Sequence, residues 1–147
     1  MSRYTEISVD NLVSAIEEEL TNYQRNVVDK AMIDTTRVAM EALVEITRDT
    51  APVGNRRKHY KNSITSKVLR KRNLGYGQTY RELWYVKGPD YRLSHLLNNG
   101  HALRDGGRYE GTNFIGKAYD EVSREYVKAM EKAIEQGATN VPNWGKF

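Results

Sequence analysis

Between Asp10 and Ala51 the chain carries neither proline nor glycine, and its apolar residues recur in steps of three and four. Leu12, Ile16, Leu20, Tyr23, Val27, Ala31, Val38, Ala42 and Ile46 make one stripe, the period of an amphipathic helix. Asp10 suits the N-cap, and Pro52 stops the helix because the residue before a proline disfavours helical backbone. A continuous helix of ~40 residues would be a rod on the order of 60 Å. That is long for a 147-residue chain, so a break is expected. Asp34, Thr35 and Thr36 are the weakest point, since Asp and Thr side chains compete for the backbone.

The period then changes. After a polar, basic loop at residues 53–61, Ser63 to Lys71 alternates Ile64, Ser66, Val68 and Arg70 with Thr65, Lys67 and Leu69. Thr79 to Lys87 places Tyr80, Trp84 and Val86 on one face and Leu83 and Tyr85 on the other. This is strand character, and the two-glycine link at residues 73–78 makes residues 62–87 a β-hairpin closed by Gly88-Pro89-Asp90. Tyr91 to Asn99 is expected to enter as a third short strand and end as a helical turn, and Gly100 suits a left-handed C′ position. A second helix runs from Phe114 to Gln136, capped by Thr112 or Asn113 and closed by Gly137. The expected fold class is α+β: a long N-terminal helix, a small antiparallel sheet and a C-terminal helix packed on it. Residues 1–137 form one domain, and residues 138–147 form a tail carrying Trp144 and Phe147. Two large apolar groups on an aperiodic segment fit either an end folded back on its own domain or an arm docking on a neighbour.

Charge is segregated. Residues 1–49 hold 5 basic and 10 acidic side chains, and residues 50–81 hold 9 basic and none acidic. The basic block is Arg56, Arg57, Lys58, Lys61, Lys67, Arg70, Lys71, Arg72 and Arg81, which attracts phosphate or an acidic protein face. Tyr76, Tyr80, Trp84 and Tyr85 lie beside it, and aromatics among cations bind single strands by stacking or serve protein interfaces. No cysteine is present, which excludes disulfides and thiolate metal sites and agrees with a cytosolic origin. No run of 18 apolar residues marks a membrane span, and the first residues lack the apolar core of a signal peptide.

The residues offer little chemistry. His95, His101, Asn98, Asn99 and Asp105 faintly suggest a His-Asn-His metal nuclease, but they are too compact for that motif, and His95 beside Leu96 and Leu97 reads as a packed histidine. Gly106-Gly107-Arg108 lacks the frame of a phosphate loop; adjacent glycines read as a tight reversal that Cβ atoms would block. Arg104, Asp105 and Arg108 around it are candidates for salt bridges between subunits. No catalytic, cofactor or metal residue is expected.

Several motifs in order resemble the tail-completion, or head–tail joining, family of long-tailed bacteriophages, named after a minor protein of a lambdoid phage. They are Thr50-Ala51-Pro52-Val53 at the helix end, Tyr60 to Ile64 opening the first strand, Tyr91 to His101 against the pattern Tyr-x-Leu-x-His-Leu-Leu-Glu-x-Gly-His, the basic loop Arg104 to Arg108, and Asn113 to Ala118 leading into the last helix. Asn98 stands where the family has Glu, removing a salt-bridge acceptor, and Lys117 where it has Pro. The resemblance covers roughly residues 39–131. It implies a non-enzymatic virion protein of the phage neck, made in the host cytoplasm and assembled as a hexameric or twelve-fold ring. Its neighbours would be connector, tail-terminator or tail-tube proteins, with DNA in the channel a further contact and no membrane. The acidic residues 1–49 of one copy against the basic residues 50–81 of the next would supply a heterologous contact.

Overall fold

The computed structural model describes residues 8–54, 59–74 and 77–139. The chain begins as a helical rod: α1, Val9–Tyr23; a π-helical turn, Gln24–Asp29; and α2, Lys30–Thr50. The irregularity therefore lies a turn and more before the expected Asp34–Thr36. Gln24 and Asp29 are five residues apart, the π-helical spacing, and the Gln24 amide donates to Asp29 Oδ1 at 3.1 Å. Asp29 is buried, so the wider turn gives a buried carboxylate a partner. Thr36 instead remains helical and shares a 3.0 Å hydrogen bond with the Tyr126 hydroxyl of the last helix. Pro52 ends the rod as expected: Ala51 is extended at φ −62°, ψ 138°.

A short 3₁₀ turn at Tyr60–Ser63 leads into the antiparallel hairpin of β1, Ile64–Leu74, and β2, Gly77–Val86. Ile64 pairs with Val86 and Ser66 with Trp84, which places the expected apolar set on one face. A bulge between Val68 and Arg70 then shifts the register, so that Arg70 pairs with Arg81. The alternation expected to run unbroken from Ile64 to Arg70 stops there, because one extra residue puts everything beyond it out of phase.

The third strand expected at the start of Tyr91–Asn99 is not formed: a 3₁₀ turn, Gly88–Leu93, runs straight into α3, Ser94–Asn99, so only the helical end is as expected. A two-residue ribbon, β3 (His101–Ala102) paired with β4 (Arg108–Tyr109), comes next; segments this short have no period to reveal them. Helix α4 runs from Phe114 to Thr139, two residues past Gly137, so that glycine does not close it. Trp144 and Phe147 lie outside the described residues, as do Arg56, Arg57 and Lys58.

The core sits where the end of α2, the hairpin, α3 and the start of α4 meet. Val44 and Ala51 from the end of α2, Tyr60, Ile64, Val86 and Phe114 are buried together, with Trp84, Leu93, Leu97 and Ile115 packed on them. Ile46 and Thr50 flank Phe114 and Ala118 while Thr36 meets Tyr126, so α2 and α4 run antiparallel. Two polar contacts fasten the hairpin to α2. The Arg48 guanidinium donates to the Ile64 carbonyl through Nε and Nη2, at 2.9 and 2.6 Å. Buried Thr47 accepts the Trp84 indole N–H at 2.9 Å while donating to Leu43 O one turn back. Arg48, Thr47 and Trp84 thus bring polar atoms to the core with partners, as burial requires, whereas Asp29 Oδ2, His59 Nδ1 and His101 Nδ1 are buried without one.

Candidate functional site

Residues 93–118 form a joint held by backbone contacts. The Gly100 amide donates to Leu96 O at 2.9 Å, ending α3. Thr112 and Asn113 amides then donate to Leu97 O and Asn98 O, at 3.2 and 2.9 Å. The Asn98 side chain reaches further: its Oδ1 accepts the Ile115 amide at 3.0 Å. Ile115 is the second residue of α4, so Asn98 satisfies one of the orphan donors at that helix start. Asn113 holds the N-cap position, its carbonyl accepting the Lys117 amide at 3.0 Å, and Asn98 of α3 adds a second cap. Asn113 itself takes a positive φ of 48°, and its side chain lies over Gly116.

Asn98 therefore faces a backbone donor, and its difference from the family's Glu removes no acceptor here. We expect Asn98→Ala to cost about 1–2 kcal/mol in urea or thermal unfolding, the usual effect of deleting a cap. Asn98→Asp should retain stability, because a charged acceptor suits the positive end of a helix.

Two glycines make the joint geometrically possible. Gly100 has φ 82° and ψ 171°, which is not the left-handed helical conformation expected of a C′ residue. A Cβ there would stand 2.1 Å from Tyr109 O and 2.6 Å from the Glu110 carbonyl carbon. Gly111, at φ 76°, sits opposite, and its Cβ would meet Gly100 N at 2.5 Å and Asn98 O at 2.6 Å. Two chain segments thus cross at backbone contact. The role of Gly111 is invisible in sequence, because it depends on a crossing segment 11 residues earlier.

The Gly106-Gly107 pair is simpler than expected. The Gly106 amide closes a turn on Leu103 O at 3.2 Å, and Leu103 N donates to Gly107 O at 2.7 Å. Only Gly106 of the two has a positive φ, 87°, and a Cβ on it would meet nothing within 4 Å. A Cβ on Gly107 would make ordinary contact with Leu103 at 3.5 Å. The reversal needs one glycine for its dihedral angle, and neither for space. Arg104 and Asp105 are exposed at its tip. Arg108 pairs with Glu110 of its own chain at 3.7 Å, both largely exposed, a contact of little energetic weight.

A cleft of about 520 Å³ adjoins the joint, lined among others by Pro52, His59, Tyr60, Asp90, Leu97, His101 and Tyr109. His101 lies against the Tyr109 ring, centroids 5.4 Å apart. His95 is exposed; α3 turns it outward while Leu97 faces the core, so it is not the packed histidine its neighbours suggest. Among the described residues no cluster of three His, Asp or Glu is placed to hold a metal. Tyr60 donates to Ser94 Oγ at 2.8 Å. Burial pushes its phenol above the ordinary value near 10; the Ser94 hydrogen bond works against this, and the Asp90 charge adds to it.

A phenol raised by folding contributes stability that is complete below the unfolded pKa and lost as pH rises through the folded one. Unfolding free energy should thus decline above about pH 10, and Tyr60→Phe should flatten that alkaline limb while costing about 0.5–1.5 kcal/mol at neutral pH for the lost Ser94 hydrogen bond.

The basic hairpin is less of a stacking platform than its composition suggests. Trp84 is turned into the core, and Tyr80 donates to Glu82 at 3.1 Å. Lys67 lies over the Tyr85 ring, 5.0 Å from its centroid, on the outer face. Arg70, Lys71 and Arg72 belong to the backbone of β1, with side chains outside the described set.

The most unexpected surface is apolar. Leu12, Val13, Ile16 and Leu20 of α1 are 46–66% exposed. Val38, Tyr119 and Val127 are more than half exposed along α2 and α4. No helix among the described residues is long and apolar enough to cross a membrane. No family model matches the chain, and no curated protein or solved structure matches it.

Proposed function

We propose that this chain is a structural subunit of the neck of a long-tailed phage particle, packing in several copies as a ring that completes the tail top or joins head to tail. The observation that carries this reading is the mismatch between a small core and extensive exposed apolar surface. The core is confined to the end of α2, the base of the hairpin and the start of α4, while α1, α2, α4 and the hairpin all carry large apolar groups in solvent. Exposed apolar surface on this scale marks protein contacts. The joint is built from backbone crossings and a cap, an arrangement that fixes α3 against the start of α4 and suits a structural part. The order of motifs from Pro52 to Ala118 supports the same reading by analogy, which indicates a family role but not a mechanism.

Antibody labelling of purified particles tests it. Label at the head–tail junction is the expected result; purified particles free of the protein would overturn the proposal. The second reading, a nucleic-acid-binding accessory protein, draws on the hairpin, where residues 61–87 hold seven basic side chains against Glu82 alone. It requires retention on DNA that falls steeply with salt, since phosphate contacts release counterions. It also requires loss of retention on replacing Arg70, Lys71 and Arg72 with Glu. We expect weak retention that the triple substitution leaves unchanged.

A further inference from the structure

We infer that helix α1 of one copy docks on the outer face of the β1–β2 hairpin of the next. The contact rests on the reading of the chain as a repeating subunit, and it specifies which surfaces meet. Helix α1 packs chiefly against the π turn that continues it, leaving Leu12, Ile16 and Leu20 in solvent. It carries Glu17, Glu18 and Glu19 and, from Ser8 to Tyr23, no basic residue. It is therefore an apolar stripe edged by negative charge, with nothing in its own chain to cover it among the described residues.

The hairpin offers the complementary surface. Its inner face is spent on α2 through Trp84 and Thr47. Its outer face presents Leu83, 40% exposed, opposite Lys67 and beside Tyr85, with Leu69 of the bulge 52% exposed next to it, on a strand pair with a strong basic excess. A 15-residue helix spans about 22 Å, which the 10- and 11-residue strands accommodate at about 3.3 Å per residue.

Two observations select this pairing. Within one chain, α1 continues the rod against which the hairpin's inner face lies, so it reaches the outer face only by breaking that rod. The competing apolar groove, between α2 and α4, is rimmed by Asp34, Glu121 and Glu125, which repel the Glu17–Glu19 run. Because donor and acceptor surfaces differ, the contact is heterologous, and repeated rotation closes a ring or extends a filament.

Sedimentation of two variants tests the pairing. One carries Ile16→Asp and Leu20→Asp, the other Leu69→Asp and Leu83→Asp; all four sites are exposed, and circular dichroism checks that each variant folds. Wild type should associate with rising concentration, each variant alone should be monomeric, and an equimolar mixture should form a 1:1 dimer that grows no further. A monomeric wild type, an associating variant, or a mixture that stays monomeric overturns the inference; association of the hairpin variant alone, whose α1 is intact, would indicate α1–α1 pairing. Since the chain has no cysteine, Leu20→Cys mixed with Leu83→Cys gives an independent reading: a disulfide heterodimer is expected, and Leu20→Cys homodimers alone contradict it. Association as described in a protein absent from the particle junction would keep the contact and remove the neck reading.

Discussion

Gly100→Ala is expected to destabilise the protein by roughly 2–6 kcal/mol, combining about 1–3 kcal/mol of backbone strain with about 1–3 kcal/mol of overpacking. The added methyl would stand 2.1 Å from Tyr109 O, and a backbone atom cannot rotate away as a side chain does. The ribbon β3–β4 or the end of α3 would have to move, and with it the Asn98 cap on α4. Gly111→Ala should behave alike, because its methyl would strike Gly100 N and Asn98 O. Gly107→Ala provides the contrast: its Cβ makes ordinary contact at 3.5 Å and the change should fall within about 0.5 kcal/mol. Chemical denaturation of the three variants separates the two classes. Equal, small effects at all three positions would mean that the crossing at Gly100 and Gly111 is not close.

Ile64→Ala should cost about 2–5 kcal/mol, the range for truncating a buried aliphatic side chain. Ile64 is fully buried at the point where α2, the hairpin and Phe114 converge, and its carbonyl is the one Arg48 grips. Against a typical domain stability of about 5–15 kcal/mol, a core this small has little reserve. Val68→Ala, on the same strand but 52% exposed, should change stability by less than about 0.5 kcal/mol. Thermal melts of the two variants measure the difference, and comparable losses would place the core further along the hairpin than Ile64.

What the sequence disclosed follows from what is local. The stop at Pro52 and the inward set Ile64, Trp84 and Val86 rest on dihedral preference and a period of two, both properties of neighbouring residues. The π turn did not show, because the feature that singles it out is the burial of Asp29. The bulge at Val68–Arg70 depends on the register of the partner strand. The Asn98 cap joins residues 17 apart, and the Gly100–Gly111 crossing joins two loops; neither leaves a periodic mark. Gly137 was read as a helix stop from its identity, yet α4 passes through it to Thr139, since a single glycine costs a helix only about 1 kcal/mol. Periodicity identified the stripe on α1 but not that Leu12, Ile16 and Leu20 stand exposed.

Electron microscopy of particles from a phage carrying a stop codon in this gene tests the central claim most directly. The account predicts DNA-filled heads beside separate tails, with infectivity restored when the full chain is supplied in trans. Intact, infectious particles from the same mutant would contradict it.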